Sequence, residues 1–134
     1  MRVYFATKSR RAAWISALIE AGVPIASSWH GWSFNTDDGV EPGVDAWAEH
    51  SARCLREASE CDVTIIYAEK GDVHFGAIAE AAACLSHDRT LFMVAPHHDW
   101  SFLRHHRNFR SFDTLAAAIQ AVLAIERGER MRAA

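Results

Sequence analysis

The stretch that decides the fold runs from Glu60 to Ala95 and reads ECDVTIIYAEKGDVHFGAIAEAAACLSHDRTLFMVA. Val63–Tyr67 and Leu91–Ala95 are short runs rich in Val, Ile, Leu and Phe, the pattern of strands buried on both faces. Between them lie a polar turn at Lys70-Gly71-Asp72 and a helix of small residues from about His74 to Ser86. Two such strands joined through a helix make a parallel crossover unit. One carboxylate, Glu80, sits on that helix just past the carboxyl end of the first strand, where open α/β sheets bind ligands. Its neighbours Ala77, Ile78, Ala79, Ala81, Ala82 and Ala83 are small or apolar and imply partial burial. A buried carboxylate is costly without a partner or a task, so Glu80 is the first residue to explain.

The same alternation extends outward in both directions. Arg2–Thr7 reads as a first strand, followed by a helix with Ser9 as N-cap, Trp14, Ala17, Leu18 and Ala21 at helical spacing, and Gly22 at its end. Pro24–Ser28 reads as a second strand. Trp29–Gly43, WHGWSFNTDDGVEPG, is rich in turn formers and longer than an ordinary connection, as functional loops often are. Val44–Ser59 is a helix that groups Ala46, Trp47, His50, Cys54 and Ala58 near one face. After the central unit come a His- and Arg-rich loop (Pro96–Arg110), a short edge strand around Phe109–Phe112, and a last helix from Leu115 to about Arg127, capped by Asp113 or Thr114. The tail from 128 to 134 reads as frayed. Strands alternating with helices call for a parallel sheet. The expected fold is a single domain over residues 1–134, a three-layer α/β/α sandwich with a flavodoxin-like sheet of four to five strands.

Composition narrows the function classes. The 134 residues suffice for one domain with a real core, and half of them are hydrophobic, which excludes disorder. A formal net charge of -3 lacks the basic footprint of a nucleic-acid binder. No apolar run reaches the length of a membrane span, and the first residues have their charges in the wrong order for a signal peptide. Three cysteines without CxxC spacing (Cys54, Cys61 and Cys84) read as small core residues in a reducing, cytoplasmic setting. No GxGxxG, P-loop or GxSxG motif is present. His97, His98, His105 and His106, with Asp99, lack the spacing of a zinc site, so neither metal nor cofactor is expected.

Several positions carry candidate chemistry. Thr7, Lys8 and Ser9 open a helix after the first strand, where free N–H groups and positive charge favour an anion such as a phosphate. Ser28, Trp29, Trp32 and Phe34 offer an aromatic wall for a planar ligand, or alternatively core and interface anchors. Asp72 reads either as a turn residue or as a ligand to hydroxyl groups or a base.

In order along the chain, YFATKSRR, ALIEAGVPIASSW, CDVTIIYAEKGD, FGAIAEAAACL and WSFLRHHRNFRSFDTLAAAI resemble the nucleoside 2-deoxyribosyltransferase-like family. The most specific piece is Gly76-Ala77-Ile78-Ala79-Glu80, which matches the family's G-[TA]-x-x-E helix start. The resemblance implies cleavage or transfer at the N-glycosidic bond of a (2′-deoxy)nucleoside or its 5′-monophosphate, with Glu80 attacking the anomeric carbon. It implies that Asp72 or His74 assists the base, that Thr7, Lys8, Ser9, Ser28, Trp29 and Gly76 bind substrate, and that the protein is a homodimer or larger homo-oligomer. The helix Val44–Ser59 would supply the dimer face. Two positions depart from the pattern, since His74 and Cys54 stand where classical transferases carry aspartates. The alternative is a non-catalytic nucleotide-binding or sensing domain of the same fold.

Overall fold

The computed structural model describes residues 1–31, 43–73, 75–98 and 100–133, and the side chains of all these except Phe75 and Ser101. The expectations for Trp32, Phe34, His74 and Asp99 lie outside the described residues.

Four strands, β1 (Val3–Ala6), β2 (Val63–Tyr67), β3 (Thr90–Val94) and β4 (Phe109–Ser111), form one parallel sheet in the order β1-β2-β3-β4. The first three are buried almost throughout, as their unbroken apolar runs require. Among the described residues four helices cover them: α1 (Trp14–Glu20), α2 (Val44–Glu60), α3 (Phe75–Ser86) and α4 (Leu115–Ala133). Side chains alternate between the faces of a strand, so the registered pair Tyr4 and Thr64 point the same way. Thr64 Oγ1 donates to the Ala58 carbonyl at the end of α2, which puts α2 and α3 on that face. On the other face Trp14 of α1 packs on Tyr67, with ring centroids 5.2 Å apart. The end of α1 approaches α4, where Leu123 lies 3.7 Å from the position of a Cβ added to Gly22. The result is the three-layer α/β fold expected.

The second strand expected at Pro24–Ser28 shrinks to a single parallel bridge between Val3 and Ile25. Pro24 has no N–H to give, although its carbonyl accepts from Val3 N–H at 2.9 Å. Further along, side chains replace the backbone ladder. Ser27 Oγ accepts from Phe5 N–H, and the Trp29 indole N–H donates to the Phe5 carbonyl. The segment still occupies the flavodoxin-like place beside β1.

Helix ends show what the sequence read correctly and what it did not. Gly22, at φ +93°, closes α1 with Val23 N–H on the Leu18 carbonyl and Gly22 N–H on the Ile19 carbonyl, a left-handed C-terminal motif. Ser9 is not the cap of α1. It starts a short 3-10 turn, Ser9–Arg11, with Lys8 in the capping position and no side-chain cap bond. Thr114 Oγ1 accepts from Ala117 N–H and caps α4, which runs to Ala133 rather than ending near Arg127.

Candidate active site

The chain leaves β1 toward α1 on one face of the sheet and leaves β2 toward α3 on the other. The two departures open a crevice at the carboxyl ends of these neighbouring strands. A cavity of about 540 Å³ fills that crevice. Ala6, Tyr67 and Ala68 mark the strand ends, Thr7, Lys8 and Ser9 the loop after β1, and Asp72 and Val73 the loop after β2. Trp47, His50, Ser51, Cys54 and Leu55 come from α2, Gly76, Ala77, Ala79 and Glu80 from α3, and Trp29 from the segment beside β1.

Glu80 belongs to this cavity, one helical turn after Gly76. An added Cβ on Gly76 would meet Glu80 Oε1 at 3.8 Å, so the carboxylate folds back toward the start of its helix, over a residue with no side chain. Glu80 Oε2 is buried and completes no hydrogen bond. Burial pushes the carboxyl up to about 7; the Tyr4 hydroxyl opposes that rise, and the negative charge of Glu57 adds to it. Tyr4 Oη, also buried, lies among Glu80 and Cys54 without a hydrogen bond of full geometry, and burial raises its own pKa strongly. Two polar groups close together and both under-satisfied form a site waiting for a polar partner.

On the α2 side, Cys54 Sγ lies 3.5 Å from His50 Nε2. Burial raises the thiol pKa, so Cys54 is a neutral S–H. Burial lowers the His50 pKa, with Arg53 adding to the effect and Glu57 opposing it. Trp47 meets the His50 ring edge-on, with centroids 6.3 Å apart. The sequence groups Trp47, His50 and Cys54 on one helix face, but that face lines the cavity; Tyr4 carried no signal beyond being a hydroxyl inside a buried strand.

The structure spreads the other expected residues over different tasks. Asp72 lines the cavity, yet Oδ1 accepts from Arg10 at 2.7 Å and Oδ2 from Arg11 at 2.8 Å and from Glu69 N–H at 2.9 Å. The hydrogen bond from Arg11 holds the carboxyl well below the ordinary range. Arg11 is buried, stacked over Trp14 and Tyr67, and also bonded to Thr7 Oγ1. Thr7 Oγ1 in turn donates to the Tyr67 carbonyl. Asp72 and Thr7 therefore tie the loop after β1 to the loop after β2. Lys8 and Ser9 line the cavity, and Lys8 forms no ion pair among the described residues. Ser28 is absent from the lining: its N–H and hydroxyl both bond the Glu57 carboxylate. Trp29 is buried with its indole N–H committed to Phe5, leaving the ring as wall.

Among the described residues no three His, Cys, Asp or Glu side chains gather as a metal site. His98 Nε2 contacts the Glu69 carbonyl and His106 Nδ1 accepts from Asn108 N–H, so these histidines shape the loop after β3.

The chain is similar in structure to the CMP N-glycosidase BcmB of Clostridium botulinum. The TM-score is 0.55 at 16% identity, covering 91% of this chain and 98% of that one. The fold is the nucleoside 2-deoxyribosyltransferase-like fold. No protein-family model and no curated protein matches the sequence. A fold of this kind hosts its chemistry in the site rather than in the architecture. Among the described helices none is long and apolar enough to cross a membrane.

Proposed function

We propose that this protein cleaves the N-glycosidic bond of a nucleoside 5′-monophosphate or (2′-deoxy)nucleoside through a covalent intermediate on Glu80. The observation that carries this reading is the buried Glu80 carboxylate, whose Oε2 completes no hydrogen bond of full geometry, in a cavity at the carboxyl ends of β1 and β2. Departure of the nucleobase leaves an oxocarbenium-like centre at C1′, which a carboxylate close by stabilises and then captures. The electron pair of the C1′–N bond goes to the base, and a Glu80 oxygen bonds C1′. Water, or a second base, then attacks C1′ and releases Glu80.

The remaining residues follow from their surroundings. Tyr4 orients the carboxylate and favours its charged form. Gly76 leaves room for the sugar beside Oε1. Lys8, with Ser9, takes a 5′-phosphate: it is a cation of the cavity lining that no acid pairs with among the described residues. Asp72 serves through the loops it joins, since both its oxygens are occupied by guanidinium groups. The likeness to a CMP N-glycosidase supports a nucleotide over a larger substrate and makes CMP the first compound to try. A homodimer accords with the exposed Val44 on α2, outside the cavity lining, and light scattering of the purified protein tests it.

Incubation with a panel of nucleosides and monophosphates, read as free base by chromatography, tests the activity. Base release that Glu80→Ala lowers by more than about 1000-fold supports it. Saturable binding without release from any member of the panel supports instead a nucleotide-sensing domain.

A further inference from the structure

We infer that a second cavity, over β3 and β4 and separate from Glu80, binds a small neutral heterocycle that presents a ring N–H beside an amino group and a carbonyl on another edge. This site does not depend on the glycosidic reading of the first cavity.

The cavity follows from the way the chain crosses from β3 to β4. Thr64 points toward α2 and α3, and the sheet register carries that direction through Leu91 to Phe109. Side chains alternate along a strand, so Met93 and Ser111 point the same way. A right-handed crossover between parallel strands passes over this face, and an α-helix ordinarily makes it. Here the described chain makes a 3-10 turn instead, Ser101–His105. Five residues cover less of the sheet than a helix would, and a cavity of about 260 Å³ remains over Met93, Phe109 and Ser111. Pockets for drug-sized ligands begin at about 300 Å³, so this one suits one or two fused rings without a sugar or phosphate.

The lining selects the ligand. Thr114 rather than Asp113 caps α4, and among the described residues neither the Asp113 carboxylate nor the Ser111 hydroxyl enters a hydrogen bond or ion pair. A carboxylate accepts two parallel N–H donors, which a ring N–H with a neighbouring amino group supplies, and a hydroxyl beside it can give or take one more bond. Trp100 and Phe109 bring aromatic side chains to the lining for a flat ring to lie against. His98 and Arg104 also line the cavity but are engaged, His98 Nε2 with the Glu69 carbonyl at 2.9 Å and Arg104 Nε with His105 Nε2 at 3.3 Å. The positive charge of Arg104 still counts: it disfavours a cationic amidine, which would otherwise satisfy Asp113 equally well, and favours a carbonyl oxygen. A neutral 2-amino-4-oxo ring meets all of these conditions.

Chemical-shift titration of the purified protein with three small molecules tests the site. The first, 2-aminopyrimidin-4-one, carries the N–H pair and the carbonyl. Uracil lacks the amino group, and benzamidine carries the N–H pair with a positive charge. The first should bind with a Kd of about 0.1 to 1 mM, and the other two at least about tenfold more weakly. Asp113→Asn should weaken the first compound by about tenfold and Ser111→Ala by about threefold. Both positions are exposed, so neither substitution should move Tm. Glu80→Gln should leave the affinity as it is. A loss on Glu80→Gln with none on Asp113→Asn would put the compound in the first cavity and overturn the inference. Uracil or benzamidine binding as tightly as the first compound, or no saturable binding of that compound below about 10 mM, overturns it too.

Discussion

Tyr4 of β1 and Glu80 of α3 bring a phenol and a carboxylate together beside the cavity that Glu80 lines, and Tyr4 Oη and Glu80 Oε2 are both buried without a hydrogen bond of full geometry. The arrangement costs stability, and on the proposed reading a substrate hydroxyl or an ionised intermediate relieves it. At pH values where Glu80 is protonated, Tyr4→Phe should therefore leave Tm unchanged or slightly higher, because the buried hydroxyl has no hydrogen bond of full geometry to lose. It should also raise the Glu80 pKa further, since the phenol is the group that lowers it. The acid limb of the pH–rate profile should move to higher pH and the neutral-pH rate fall by about tenfold. A Tm loss typical of a cavity in the core would contradict this.

The same carboxylate makes stability depend on pH. Glu80 titrates near 4.5 when exposed and at about 7 in the fold, so between those values the folded protein keeps a proton that the unfolded chain gives up. Stability is then highest below the lower value, falls as pH rises through the window, and carries the whole penalty above it, about 3 kcal/mol. Glu80→Gln should stabilise the protein at pH 8 by an amount of that order and have little effect at pH 4.5. Thermal melts of both proteins across this range are the measurement. A gain that does not change with pH would show that ionisation of Glu80 is not its source.

Glu80 was legible in the sequence because its helix offers no other acid and its strand neighbours are unmistakably apolar. The cavity around it was not. Trp47, His50 and Cys54 share a helical stripe, and periodicity gives the stripe without saying whether it meets the core, a partner or a crevice. Tyr4 sits in a buried run where one hydroxyl does not disturb the strand pattern. Asp72 invited two readings because turn chemistry and ligand chemistry use the same residue; only the tertiary approach of Arg10 and Arg11, 61 or more positions away, separates them. The edge at Pro24–Ser28 failed for a local reason. Side chains of Ser27 and Trp29 took over bonds that a strand would make through its backbone.

Removal of Asp72 should act through the fold. Asp72→Ala leaves Arg11 inside the structure with Glu69 alone opposite its charge among the described residues, and breaking such a buried pair costs about 3 kcal/mol or more. Tm should drop sharply, and Asp72→Asn, which keeps the shape and one acceptor, should recover part of it. If Asp72→Asn melts like the wild type but loses base release, then the carboxylate acts on the substrate after all.

Gly76 separates helix stability from site geometry. It is the second residue of α3, where alanine is the better helix former by a few tenths of a kcal/mol and up to about 1. The added methyl would stand in ordinary contact with Glu80 Oε1, at 3.8 Å, in the space that the proposed reading gives to the sugar. Gly76→Ala should thus melt at the same temperature or higher while its kcat/KM falls, and Gly76→Val should lose activity further. A fully active Gly76→Val would remove the sugar from that side of the carboxylate.

On the proposed reading, Lys8 is the residue that separates a monophosphate from a free nucleoside. Lys8 lines the cavity from the loop after β1, and no acid pairs with it among the described residues, while Arg10 and Arg11 in the same segment are bound to Asp72. A charge-assisted bond to a phosphate adds affinity for the monophosphate and nothing for the nucleoside. Lys8→Ala should raise KM for the monophosphate by about tenfold, leave its kcat little changed, and leave the nucleoside's kinetics as they were. Raising the ionic strength should weaken the wild type toward the variant, because the site is partly open to solvent. Equal effects on monophosphate and nucleoside would mean that Lys8 holds the loop rather than the phosphate, and the preference for nucleotides would then need another cation.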